Sequence, residues 1–224
     1  MNTILHIEFH QAPQSITEPV TKFGGDPVWI DGPQWPLGRL LGTPMNFLAQ
    51  VAVDPHLFPN AVARMAYLFM TNEGDGSEPT WDPDAGENAV ILQPGLPSTV
   101  PHVPLYTGPT LMTPGTGPDD PTWKTLEYAA ELTLRSERDF MPLPERMKFS
   151  NEEREQYWEA MGGHKIGGSP LFDLTGDWFP FANSHLLLQL DGAAGTPFFL
   201  PFGDGRTGWI MVNADVTEAK FKWG

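Results

Sequence analysis

An α+β fold, largely antiparallel sheet built from two pseudo-repeats with few helices, is what this sequence predicts. Three observations carry that expectation. Short apolar runs rich in Phe, Trp, Leu and Val are punctuated by 23 Gly and 24 Pro, the spacing of many short strands and turns. One motif recurs: Lys22-Phe23-Gly24-Gly25-Asp26-Pro27 reappears as Lys165-Ile166-Gly167-Gly168-Ser169-Pro170, and thirteen residues after each Lys stands a Trp, Trp35 and Trp178. Only one stretch carries a complete helix signature.

The first ten residues alternate Ile4, His6 and Glu8 with Leu5, Ile7 and Phe9, and this period of two predicts an opening strand. After the first Lys-x-Gly-Gly motif come Trp35-Pro36, an apolar run closed by Gln50 and a further strand from Ala66 to Met70. The second motif is followed by Trp178, Pro180, the run Leu186 to Leu190 containing Gln189, and a strand from Trp209 to Val212. The shared order of elements makes duplication the better reading of the match, with repeats at about 22–70 and 165–212.

Between the copies, residues 72–88 are polar and acidic, Val90-Ile91-Leu92 reads as a short strand, and residues 94–121 are dense in Pro, Gly and Thr and read as irregular. Glu131 to Arg135 alternates as a strand, while Thr125 to Ala130 fits helix equally well. The helix is Asn151 to Met161. Ser150 is its N-cap, Glu153 its capping-box partner, and Gly162-Gly163 its stop, with Tyr157, Trp158 and Met161 on the apolar face.

Composition narrows the function classes. With no cysteine there is no thiolate zinc site, disulfide framework or thiol nucleophile. A net charge of −15 opposes direct binding to nucleic acid or to an acidic lipid surface, both of which draw affinity from clustered Lys and Arg. The N-terminus lacks the basic start and apolar run of a secretory signal, and no stretch approaches the roughly 20 apolar residues that span a bilayer, so a cytoplasmic protein is expected.

The catalytic motifs fail on context. Gly203-Asp204-Gly205-Arg206-Thr207-Gly208 has dinucleotide-fingerprint spacing but lies between two strand-like runs, Phe198 to Leu200 and Trp209 to Val212, where Asp-Gly reads as a hairpin turn. The two Gly pairs lack the Gly-Lys-Ser/Thr ending of a phosphate loop and read as bulges or sharp turns where Trp side chains or another backbone pack closely. His6 and His10 share a strand face without a third ligand, and there is no Gly-x-Ser-x-Gly elbow. No cofactor, resident metal or catalytic residue is expected.

One local feature rises above this background. Glu73, Asp75, Glu78, Asp82, Asp84 and Glu87 fall within residues 72–88 without a Lys or Arg, Trp81 stands among them, and Asp119-Asp120 adds charge in a later loop. The order does not match a calcium loop. One-sided charge around a Trp instead suits a protein interface, in which acids steer a basic partner and the aromatic anchors it. The rival expectation is a small-ligand module or enzyme with a cleft between the two copies, lined by Trp35 and Trp178.

These residues also resemble a known family. Phe23 to Pro27, then Trp35-Pro36 and Met45 to Val51, resembles the opening motif of the YwqG-like bacterial family of uncharacterised domains. His164 to Pro170, Leu186 to Asp191, and Gly203-Asp204-Gly205 followed by Trp209 to Val212 are similar to its C-terminal signature in order and spacing. Ser169 stands where the family often has an aromatic, and the aromatic before the Gly-Asp turn is Phe202. The resemblance implies one α+β domain over 1–224 with no established enzymatic activity. Similar proteins stand beside toxin genes in bacterial polymorphic-toxin and secretion loci, such as type VI secretion, and look like immunity proteins. That implies a basic effector toxin, a nuclease, as the partner of the acidic face.

Overall fold

Antiparallel pairing of the short apolar runs accounts for most of the architecture. The structure, a computed structural model, describes residues 1–71, 79–95, 107–114, 123–200, 202 and 205–224. Its strands are β1 (Asn2–Gln11), β2 (Lys22–Gly24), β3 (Asn46–Ala52), β4 (Met65–Met70), β5 (Asn88–Gln93), β6 (Met112–Pro114), β7 (Trp123–Thr125), β8 (Glu127–Glu137), β9 (Lys165–Gly167), β10 (His185–Asp191), β11 (Thr207–Val212) and β12 (Ala219–Trp223). Two α-helices, α1 (Leu143–Arg146) and α2 (Asn151–Met161), join β8 to β9.

Ten strands form one sheet in the order β12-β11-β10-β9-β1-β8-β2-β3-β4-β5, with every pairing antiparallel, and β6 pairs with β7 separately. The long pair β1–β8 stands at the centre, with Asn2 opposite Glu137 and Gln11 opposite Tyr128. The two edge strands, β5 and β12, curl round until they lie against each other, so the sheet nearly closes into a barrel. Val62 N–H donates to the Asp215 carbonyl at 2.7 Å, tying the β3–β4 and β11–β12 connections together.

One large cluster fills the inside, including Ile7, Phe23, Leu68, Met70, Leu188, Ile210, Val212 and Phe221. Strands β4 and β11 are buried on both faces, which explains why their sequences are unbroken apolar runs. Outside β4, Trp29 and Trp35 pack on Tyr67 and Phe69, and Trp35 Nε1–H donates to the Met45 carbonyl at 2.7 Å. Outside β11, Phe172 and Trp178 pack on Trp209 and Met211. Trp35 and Trp178 therefore seal two separate outer clusters and do not line a common cleft.

The two Lys-x-Gly-Gly segments sit on opposite sides of the central pair. Lys22 is in register with Gln50 and Lys165 with Gln189. Each Gln accepts a backbone N–H through its side-chain oxygen, Val28 at 2.8 Å for Gln50 and Leu171 at 2.8 Å for Gln189. Both following strands carry a register shift, between Phe47 and Ala49 in β3 and between Leu186 and Leu188 in β10. Gly24, Gly25, Gly167 and Gly168 all have positive φ.

Helix α2 begins and ends where its sequence says it does. Ser150 Oγ accepts from Glu153 N–H, and the Glu153 carboxylate accepts from Ser150 N–H, a complete capping box. These bonds hold the Glu153 carboxyl below the usual glutamate range. Gly162 is extended and it is Gly163, at φ 84°, that takes the left-handed turn.

Tertiary pairing settles one open alternative and overturns two local expectations. At 125–130 the strand alternative holds, Thr125 ending β7 and Glu127 to Ala130 opening β8 on either side of Leu126, because Tyr128 and Ala130 pack on the barrel core opposite Gln11 and Phe9 of β1. The run Phe198 to Leu200 is not a strand and so does not make a hairpin with β11, whose neighbours are β10 and β12. Phe198 instead enters the core, its ring 5.2 Å from Phe9 and 5.7 Å from Phe23. The segment 94–121 also contributes β6.

Candidate functional site

The acidic stretch meets the structure in part. Glu73, Asp75, Glu78, Asp119 and Asp120 lie outside the described residues. Pro79 to Gly86 form a turn just before β5, beside the seam where β5 meets β12. Asn88 is the organiser: its side-chain amide donates to the carbonyls of Thr80 (2.9 Å) and Asp82 (3.1 Å), and Asp84 N–H returns a bond to Asp82 Oδ1 at 2.9 Å. Trp223 Nε1–H donates to Thr80 Oγ1 at 3.2 Å, and Lys220 pairs with Asp84 at 2.7 Å, so β12 braces the turn from across the seam.

On this braced turn Trp81 is 51% exposed, a large aromatic held out in water beside two carboxylates. Glu87 behaves differently from its sequence neighbours. It is wholly buried, accepting Thr71 Oγ1–H at 2.7 Å and Leu40 N–H at 2.8 Å, and this corrects its expected place on a partner-facing surface. Its carboxylate is taken out of water because two donors meet it inside, one from β4's end and one from a distant loop.

The second candidate is a cavity of about 580 Å³ bounded by β1, the end of β8, α2 and the start of β11. His6, Glu137, Trp158, Asp173, Asp191 and Trp209 are among its walls. Its acids are largely engaged. Asp191 accepts Gly163 N–H at 2.7 Å and Ala193 N–H at 3.0 Å, while Glu137 is ion-paired with Lys165 and accepts Ser169 N–H at 2.8 Å. Among the described residues no group of three or more His, Asp or Glu is placed to hold a metal ion.

Behind this cavity lies a polar layer that sequence reasoning missed. The Lys165 ammonium, 1% exposed, pairs with Glu137 of β8 and donates to the Met161 carbonyl at 2.7 Å, at the negative end of α2. Burial draws Lys165 below the usual lysine range, against the upward pull of Glu137. Across the sheet Lys22 pairs with Glu127 of the same strand and donates to the Asp26 carbonyl at 2.6 Å. The repeated Lys was the available signal; its partner ten residues along β8 was not visible.

His164 completes the layer. Its Nε2 lies 2.9 Å from the Gly195 carbonyl and its Nδ1 accepts Asp191 N–H at 3.2 Å, which requires the neutral ring. Burial lowers its pKa, and His6 lowers it further, against the Gly195 hydrogen bond and the Asp191 carboxylate. Between that lowered value and the unfolded value of about 6.5, the unfolded chain binds more protons, so stability falls as pH drops from 7.5 to 5.5. The melting temperature is expected to fall by a few degrees over this window in the native chain, and less in His164→Gln. An unchanged slope in the variant assigns the acid sensitivity elsewhere.

A family model described as a domain of unknown function, DUF1963, matches residues 21–223. The chain belongs to this family. No curated protein matches it. The DUF1963 span begins one residue before Lys22 and ends at the last residue of β12, so it takes in both Lys–Glu pairs, the braced turn and β8. It leaves out β1, the strand at the centre of the sheet to which β8 and β9 of the DUF1963 span are paired.

Proposed function

We propose that this chain is a stoichiometric binding protein, a cytoplasmic immunity protein that occludes a basic effector toxin, specifically a nuclease delivered by a bacterial toxin system. The observation that carries the reading is Trp81, half exposed on a turn that Asn88, Trp223 and Lys220 hold in place, beside Asp82 and Asp84. A rigid aromatic costs little ordering entropy on docking, and surrounding acids steer a cationic surface toward it. The net charge of −15 supports the same sign of partner, and Glu73, Asp75, Glu78, Asp119 and Asp120 belong to the proposed face by sequence. Glu87 is no part of it.

The reading is consistent with a YwqG-like identity, and with an origin by duplication. The matched register of Lys22 with Gln50 and of Lys165 with Gln189, and the paired positive-φ glycines, support two pseudo-repeats flanking β1 and β8.

The test is capture on the immobilised chain from its native lysate at low and high salt, with inhibition of the captured protein's nuclease activity as the second readout. Against that partner, Trp81→Ala is expected to speed dissociation about 30-fold, and Asp82→Lys with Asp84→Lys to slow association about tenfold. Binding that ignores all three substitutions removes this face from the proposal. The cavity beside Trp158 and Trp209 favours a second reading, a small-ligand site, in which a ligand that fills it raises the melting temperature.

A further inference from the structure

We propose that the free edge of β8 pairs with β8 of a second copy of this chain, forming an antiparallel, two-fold symmetric dimer. Strand β2 covers β8 only from Glu127 to Ala129. From Glu131 to Ser136, β8 is paired with β1 alone among the described residues, and all six of these residues are exposed.

The direction of the unpaired groups follows from the ladder. Ile7 N–H donates to the His164 carbonyl, away from β8, so the facing pair Ile7–Leu132 is a non-hydrogen-bonded one. Leu132, and Leu134 two residues on, therefore turn their N–H and C=O groups away from β1 to the open edge. The Leu126 carbonyl, in the same phase, accepts Gly25 N–H from the β2 side, as this assignment requires.

That edge is complementary to itself. An antiparallel register centred on Thr133 sets Leu132 opposite Leu134 of the second copy, exchanging two N–H···O bonds, and the two-fold axis repeats the exchange. The same register sets Glu131 opposite Arg135 of the second copy. Leu132 and Leu134 are 38% and 68% exposed and share one face, so the dimer gathers four leucines from water. Within one chain Glu131 lies 2.9 Å from His10 and Arg135 3.5 Å from Glu8, exposed surface pairs of little net strength that leave both charges at the edge able to re-pair across the dimer. Natural edges are commonly blunted by Lys or Pro, and neither occurs between Ala130 and Glu137.

Sedimentation equilibrium on the full chain tests this. The mass is expected to rise with concentration from 24.8 kDa toward twice that value. Glu131→Arg and Arg135→Glu, each of which sets like charges across both symmetric pairs, are expected to weaken the dimer about tenfold or more, and the double swap to restore it to within about threefold. Both positions are exposed, and an unchanged melting temperature at dilution certifies that the variants fold. Amide exchange at Leu132 and Leu134 is expected to slow as the dimer forms. A monomer at all concentrations up to several hundred micromolar, a dimer indifferent to the single reversals, no restoration in the double swap, or unchanged exchange at these two amides each overturns the proposal.

Discussion

Lys165→Met is expected to cost about 3–5 kcal/mol of unfolding free energy, read as a lower urea midpoint at unchanged slope. The substitution removes the cation from a pair whose side chains are 1% and 2% exposed, and leaves the Glu137 carboxylate in the interior with Ser169 N–H as its remaining donor. The Met161 and Gln189 ends of the network also loosen, since the Met161 carbonyl keeps only Gln189 Nε2–H at 3.0 Å. Glu137→Gln in the same background is expected to recover part of the loss, because a neutral amide is cheaper to bury than an unpaired carboxylate. At Lys22–Glu127 the acid is 12% exposed, so Lys22→Met is expected to cost less. Equal costs at the two sites, or strict additivity of Lys165→Met and Glu137→Gln, contradict the account of a dry, coupled pair.

Gly24→Ala is expected to cost about 2–5 kcal/mol in the same measurement. Two effects add. At φ 69° an L-residue pays about 1–2 kcal/mol for the left-handed conformation. A Cβ there also falls well inside 3.0 Å of the Leu126 carbonyl oxygen, a backbone atom held by its bond from Gly25 N–H, so the backbone leading into β8 must shift, for about another 1–3 kcal/mol. Gly42 provides the comparison. It has nearly the same φ, 70°, with nothing within 4 Å of its would-be Cβ, so Gly42→Ala is expected to show the conformational cost alone. If the two variants lose equal stability, close approach to the Leu126 carbonyl is not what Gly24 serves.

These predictions place the weight of the fold on β8. One strand supplies both acids that receive the two motif lysines, pairs with β1 from Tyr128 to Glu137, and backs the positive-φ turns at Gly25 and Gly168, where the Glu127 side chain, and the Glu137 side chain together with Ile4, occupy the space a Cβ needs. Gly25 thus makes room for the Glu127 carboxylate, Gly168 for Ile4 and the Glu137 carboxylate, Gly24 for the Leu126 carbonyl oxygen and Gly167 for Leu57. Among the described residues the same strand leaves half of one edge unpaired, which is what makes self-pairing testable without disturbing the core.

What the sequence determined by itself was local or repeated. The alternation of Ile4 to Phe9 specified β1, Ser150 and Glu153 specified the start of α2, and the apolar runs Ala66 to Met70 and Trp209 to Val212 specified strands, because each signal is complete within a few residues. Tertiary structure alone decided which polar groups left water. Glu87 reads as one more acid in an acidic loop until Leu40 N–H and Thr71 Oγ1–H close on it; Trp35 and Trp178 read as one cleft until each is seen sealing its own half-sheet. Partners from distant parts of the chain set the desolvation of a charge and the covering of a face, and no window of sequence contains them.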